Sequence, residues 1–136
     1  MILLDTNVWS ELTRPAPSRR VAGWLGENEQ RLAISAVTLA ELRFGIARLP
    51  EGARKTRLLS FWQTTKEQFK GRTFAFDERA AEVYGDMAAA AERNGSRLNV
   101  ADAQIAAIAL VHKIPLATRD NRDFEATGVK LVNPWD

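Results

Sequence analysis

The chain has 136 residues, 46% of them hydrophobic and 26% charged, with no cysteine and a formal charge of +2 from 19 basic and 17 acidic side chains. This composition excludes disorder as the main state, disulfides, thiolate metal sites and cysteine nucleophiles, and the length suits one domain, 1–136, with a core of its own. With no basic-then-apolar leader and no apolar run of bilayer length, a soluble cytoplasmic protein without membrane contact is expected, and the small net charge is by itself a weak pointer to nucleic acid.

Met1-Ile2-Leu3-Leu4, four apolar residues, run straight into Asp5-Thr6-Asn7. An apolar run that stops at an acid reads as a buried parallel strand delivering a carboxylate to the C-terminal edge of a sheet. Val8 to Leu12 starts a short helix that Pro15 and Pro17 break, and Ser18 caps a second helix with Val21, Trp24 and Leu25 on one face. Leu32 to Ser35 is a second strand. Thr38 opens a third helix with Leu39, Leu42, Ile46 and Leu49 as its apolar face, ended by Pro50 and Gly52.

From Arg54 to Phe69 a helix carries Leu58, Trp62, Thr65 and Phe69, and Gly71 stops it. Arg72 to Phe76 is a third strand. Asp77 caps a long helix that turns Ala80, Val83, Tyr84, Met87 and Ala91 inward and stops at Asn94-Gly95. Asn99 begins a helix from Val100 to about His112 with Ala101, Ile105, Ile108 and Ala109 facing a core. Ile114 to Thr118 is a fourth strand, Asp120 to Glu125 a turn of helix, and Val129 to Val132 a fifth strand. Short, non-alternating strands separated by helices make an α/β fold with a parallel sheet covered on both faces, so all strand C-termini share one edge.

Four carboxylates fall at that edge: Asp5, Glu41, Asp102 and Asp120. Each has a bland alternative. Thr38-x-x-Glu41 is a capping-box pattern, Asn99-x-x-Asp102 resembles one, and Asp120 or Asp123 suits the positive end of a short helix. As a set they repel one another unless a cation sits among them, and oxygen-only ligands suit Mg²⁺ or Mn²⁺ rather than Zn²⁺. A hard ion held by acids supports hydrolysis of a phosphodiester. His112, the one histidine, sits late on its helix as a surface residue beside the helix C-terminus, which argues against a His-dependent triad. Thr6, Asn7, Ser35, Thr38, Asn99, Thr118, Asn121 and the extra acid Asp123 are placed to orient the carboxylates or hold water on a metal. Arg43, Arg97, Arg119 and Arg122 are candidates for phosphate contacts, with a solvated helix face as the alternative.

Leu4-Asp5-Thr6-Asn7, Thr38-Leu39-Ala40-Glu41-Leu42, Asn99-Val100-Ala101-Asp102-Ala103-Gln104-Ile105-Ala106 and Ala117-Thr118-Arg119-Asp120-Asn121-Arg122-Asp123-Phe124 resemble the successive motifs of PIN-domain ribonucleases. The likeness is nearest to VapC toxins of type II toxin–antitoxin pairs, in particular the FitB-like branch, whose ending is similar to Leu131-Val132-Asn133-Pro134-Trp135. It implies a PIN-like three-layer α/β/α sandwich around a parallel sheet of about five strands, and Mg²⁺- or Mn²⁺-dependent endonucleolytic cleavage of RNA that inhibits translation and growth. It also implies a homodimer, neutralisation by a small DNA-binding antitoxin and assembly with it into a hetero-octamer.

By motif, Asp5, Glu41 and Asp102 match the family's core acids and Asp120 its more variable fourth; Asp120 is preferred to Asp123 because it directly follows the strand. Thr6 and Thr118 match polar positions that support the acids. The same resemblance gives a use to an apolar groove between the early helices, near Trp9, Trp24 and Trp62, as the seat of an antitoxin segment. Other readings are a haloacid-dehalogenase-like phosphatase, which wants an acid where Asn7 stands, a receiver module, which wants a lysine at the edge, and a non-catalytic RNA-binding PIN scaffold.

Overall fold

The structure is a computed structural model that describes residues 1–96 and 98–136; Arg97 lies outside the described residues. Strands β1 (Ile2–Leu4), β2 (Leu32–Ser35), β3 (Thr73–Phe74), β4 (Leu116–Ala117) and β5 (Leu131–Val132) form one parallel sheet in the order β3-β2-β1-β4-β5. The expected α/β/α sandwich is present. Alternation along the strands shows why apolar runs were needed: Leu3, Ala33 and Leu116 face one core, while Ile2, Leu4, Leu32, Ile34 and Ala117 face the other. The three central strands β1, β2 and β4 are buried on both faces, so none of their positions suits a charge, whereas the edge strands β3 and β5 are only half-buried.

Helices α1 (Thr6–Ser10), α2 (Arg19–Glu27), α3 (Ala36–Ala47), α4 (Ala53–Gln68), α5 (Glu78–Arg93), α6 (Val100–His112) and α7 (Asn121–Phe124) connect the strands. Helix α6 is buried almost all round, with Ala103 and Ile105 through Ala109 inaccessible; five of its thirteen residues are alanines, which lets α5 and the sheet pack closely on either side. On the other face Trp9 stacks edge-on to Phe69 at 4.9 Å and donates its indole N–H to Thr65 Oγ1 at 2.9 Å, satisfying the one polar atom it buries. Trp62 does the same with the Leu39 carbonyl at 3.0 Å. Gly71, at φ +83°, makes the tight turn into β3.

Several boundaries differ from those read in the sequence. Helix α1 starts at Thr6, not Val8, because Asp5 is its cap. Helix α3 starts at Ala36 with Ser35 as its cap, so Thr38 does not open it. Strands β3, β4 and β5 pair over only two residues each; periodicity marks the apolar run, whereas pairing ends where a neighbour of equal length is lacking. His112 is exposed, yet its ring stacks on Phe74 at 4.0 Å, a contact to the edge strand in addition to its place at the helix C-terminus. Among the described residues no helix is long and apolar enough to cross a membrane. Since Ile108 is fully buried in the α6 layer, Ile108→Ala is expected to cost about 2–5 kcal/mol in urea unfolding, against less than about 0.5 kcal/mol for Val100→Ala at the exposed start of the same helix.

Candidate active site

Strands β2 and β3 lie on one side of β1, and β4 and β5 on the other, so the chain reverses its direction of winding between β1 and β4. In open α/β sheets that reversal leaves a crevice beyond the carboxyl ends of the two strands. Asp5 and the Thr118–Asp120 turn stand in that crevice. The Asp5 amide continues the ladder to the Ala117 carbonyl at 2.8 Å, which fixes where its side chain begins.

Asp5 is 3% exposed and both its oxygens are engaged: Oδ1 accepts from the Thr6 amide at 2.8 Å as the cap of α1, and Oδ2 accepts from Thr118 Oγ1 at 2.8 Å. Thr118 Oγ1 also accepts from the Asp120 amide at 3.0 Å, which ties the β4 turn to the same carboxylate. Glu41 Oε1 accepts from Thr6 Oγ1 at 2.6 Å, and Thr6 Oγ1 lies 3.0 Å from the buried Thr38 Oγ1. A hydroxyl has one proton. Because Thr6 gives its proton to Glu41, Thr38 must donate to Thr6, and Ser35 Oγ, 3.4 Å away, donates to Thr38. A directed row of hydroxyls, Ser35 to Thr38 to Thr6, therefore ends on Glu41 and holds it from behind. Asn7 Nδ2 donates to Asp120 Oδ2 at 2.9 Å, and Asn7 Oδ1 of the same side-chain amide accepts from the Arg119 backbone N–H at 3.5 Å. Asp102 stands in the first turn of α6, whose cap Asn99 accepts from the Asp102 amide at 2.8 Å.

Burial pushes the Asp5 carboxyl up to about 7, against the pull of the Thr118 hydroxyl and the Thr6 amide, and the charges of Asp102 and Glu41 push further. The half-buried Asp102 is pushed up to about 6 by its own burial and by Glu41, Asp120 and Asp123. Asp102 thus stands within electrostatic reach of Asp5, Glu41, Asp120 and Asp123, and Asp5 within reach of Glu41. No three described His, Cys, Asp or Glu side chains meet closely enough to ligate one bare ion as they stand. Mg²⁺ keeps several waters and takes one or two carboxylates directly, so an oxygen-only set spread around a crevice suits a hydrated hard cation. One residue beyond Asp120, the Asn121 amide oxygen is buried without a hydrogen-bond partner, a further acceptor at this turn.

The capping alternative fails for Glu41, which lies beyond the first turn of α3 and bonds to Thr6, whereas Asn99 is a true cap that places Asp102. The arginines divide. Arg119 lies over Trp135 at 5.1 Å, beside the crevice; Arg43 lies over Trp62 at 4.6 Å, on the α4 side of α3; Arg122 lines a concavity with Asn94 and Asp123. Arg97 falls outside the described residues. Sequence reading passed over Arg48, which lines the same hollow as Glu41, although its spacing of seven from Glu41 put both on one helix face. It also passed over Glu11, a buried acid that accepts from the Ser18 amide at 2.8 Å and from Arg14 at 3.3 Å; a charged residue in a short 3-10 turn gives no sign of being buried.

A carboxyl held at about 7 binds its proton more tightly folded than unfolded, so its stabilising contribution is complete below the ordinary 3.8 and is lost as pH rises through about 7. Metal-free protein in EDTA is expected to melt at progressively lower temperature as pH rises from about 4 to about 7, and Asp5→Asn to flatten that decline. Scanning calorimetry of the two across pH checks this; parallel declines contradict the burial of a raised acid at Asp5.

Comparison with known proteins follows the same lines. The chain is 42% identical to VapC ribonuclease Y4jK of Sinorhizobium fredii over 142 aligned residues, covering all of this chain and 99% of the relative. It is also 42% identical to Toxin FitB of Neisseria gonorrhoeae, covering 99% of each. The crystal structure of FitAcB from Neisseria gonorrhoeae superposes with a TM-score of 0.92 over 99% of both chains at 42% identity. A family model described as PIN domain matches residues 2–130. With that match over nearly its whole length, the chain belongs to the PIN domain family.

Proposed function

We propose that the chain, a single PIN domain over 1–136, is a Mg²⁺- or Mn²⁺-dependent endoribonuclease and the toxin of a toxin–antitoxin pair. The observation that carries the reading is Asp5: a carboxylate 3% exposed, raised to about 7, with Asp102 and Glu41 acting on it at the mouth of the β1/β4 crevice. Burying like charges together costs stability, and a cation binding there recovers it. The names of relatives, a ribonuclease and a toxin, support the same reading.

In this mechanism Asp5 and Asp102 would hold the cation directly, and Glu41 and Asp120 would complete the set as ligands or by holding its water. Bound there, a divalent cation lowers the pKa of water and neutralises charge on a phosphodiester. The protein's own work is orientation. Thr118 fixes the rotamer of Asp5 and Asn7 that of Asp120, while the hydroxyl row through Thr38 and Thr6 aims Glu41. Asp123 adds negative charge near Asp102. Arg119, steadied by Trp135, and Arg43 and Arg122 farther out are the phosphate contacts of this reading. Water attack leaves 5′-phosphate and 3′-hydroxyl ends.

The partners are RNA as substrate and a small DNA-binding antitoxin, in a cytoplasmic homodimer that joins the antitoxin as a hetero-octamer. Trp9, Trp24 and Trp62 pack into or against the core beside α2 and α4 and line no groove there, so the seat this reading assigns to an antitoxin segment is the neighbouring hollow between the 3-10 turn Glu11–Thr13 and α4, where Leu12, Leu58 and Phe61 lie beside Arg14, Arg54 and Arg57.

Purified protein with single-stranded RNA and Mn²⁺ tests the reading. Cleavage should stop with EDTA, fall at least about 100-fold in Asp5→Asn and Asp102→Asn with the fold intact by circular dichroism, and fall about 10-fold in Thr118→Val. Cleavage that survives EDTA or Asp5→Asn contradicts it.

A further inference from the structure

One turn beyond Glu41, the same helix presents a large aromatic side chain to solvent. Phe44 is 66% exposed, whereas the other five phenylalanines of the chain are buried or half-buried. The Arg48 guanidinium sits over its ring at 5.1 Å, one helical turn farther along α3. Between them Gly45 leaves the helix surface bare: a Cβ there would meet nothing within 4 Å. These residues line a hollow that begins at Thr6 and Glu41 and is closed on the far side by Ala101 and Gln104 of α6. The adjoining hollow shares Glu41 and Arg48 and continues to Arg54.

The charge along this path selects its occupant. Glu41 is the one carboxylate in the lining of the two hollows, and among the described residues neither Arg48 nor Arg54 has an acid within ion-pair distance. Two uncommitted arginines beside an acidic cluster suit a strand that is itself negative, reaching from the acids outwards. A flat exposed ring under a guanidinium is a stacking platform for an unpaired base, since every base has a π-face and arginine adds a cation–π term. Glu41 and Phe44 are three residues apart, about 4.5 Å along the helix axis, so the platform stands about one nucleotide from the acids.

We infer that Phe44 and Arg48 form a subsite of the nuclease centre that stacks one base of single-stranded RNA and holds the adjoining phosphate, next to the scissile bond. This deepens the nuclease reading and rests on it. A second copy of the chain or a partner protein on the same face are the rival occupants, and the experiment separates them.

The probe is a short unstructured RNA with one 2-aminopurine, bound to full-length protein in EDTA and followed by anisotropy and by 2-aminopurine quenching, beside Mn²⁺-dependent cleavage of the same RNA by wild type. Phe44→Ala and Arg48→Gln should each weaken binding about 10-fold, and Phe44→Ala should abolish the quenching that Phe44→Trp retains. Both side chains are exposed, so both variants should fold as wild type does. Unchanged binding and quenching, with wild type still cleaving, overturn the subsite and leave the nuclease reading standing. Wild type that does not cleave overturns that reading and this one together. A changed oligomeric state in Phe44→Ala by sedimentation, or weakened neutralisation by a coexpressed partner with RNA binding intact, assigns the face to protein and overturns the subsite.

Discussion

The structure turns on one costly arrangement, a carboxylate buried at the end of the central strand. Asp5 cannot move away from the sheet, because its amide belongs to the ladder and its two oxygens are held by the Thr6 amide and the Thr118 hydroxyl. Burial is the largest cause that raises its proton affinity above that of a free aspartate. The neighbouring acids then make the position worse for a negative charge rather than better. A fold that keeps such a group uses local hydrogen bonds to fix it and leaves the electrostatic cost to be met by what binds.

Topology explains why the acids meet. The strand order places β1 beside both β2 and β4, so residues just past each of these strands are neighbours although they are far apart in the chain. Glu41 arrives from the helix after β2, Asp120 from the turn after β4, and Asp102 from the first turn of α6, which packs beneath the sheet. The polar residues at the same edge then act as braces. Thr6 is the clearest case, capped by Asp5 through its amide and bound to Glu41 through its hydroxyl.

Much of this was legible in the sequence, for identifiable reasons. A run such as Ile2-Leu3-Leu4 ending in Asp5 has few structural meanings, and the acid-bearing motifs kept their order through the fold. Helix stops at Pro and Gly were also readable, since they depend on the backbone of one residue. What could not be read depends on partners distant in the chain. Ser35 rather than Thr38 caps α3, because the strand ends there and its hydroxyl faces the Thr38 amide at 3.1 Å. That shift of one turn converts Thr38-x-x-Glu41 from a capping box into a hydroxyl and an acid joined through Thr6. Arg48 and Glu11 escaped notice for a similar reason: exposure, burial and pairing are settled by whichever element packs alongside.

The account stands or falls on Asp5 as a cation ligand. A crystal of the protein grown with Mn²⁺ and measured at the manganese edge addresses this directly. The account predicts an anomalous peak about 2.0–2.2 Å from carboxylate oxygens of Asp5 and Asp102, in the crevice between β1 and β4. A manganese ion bound elsewhere, with Asp5 still held only by Thr6 and Thr118, would contradict it.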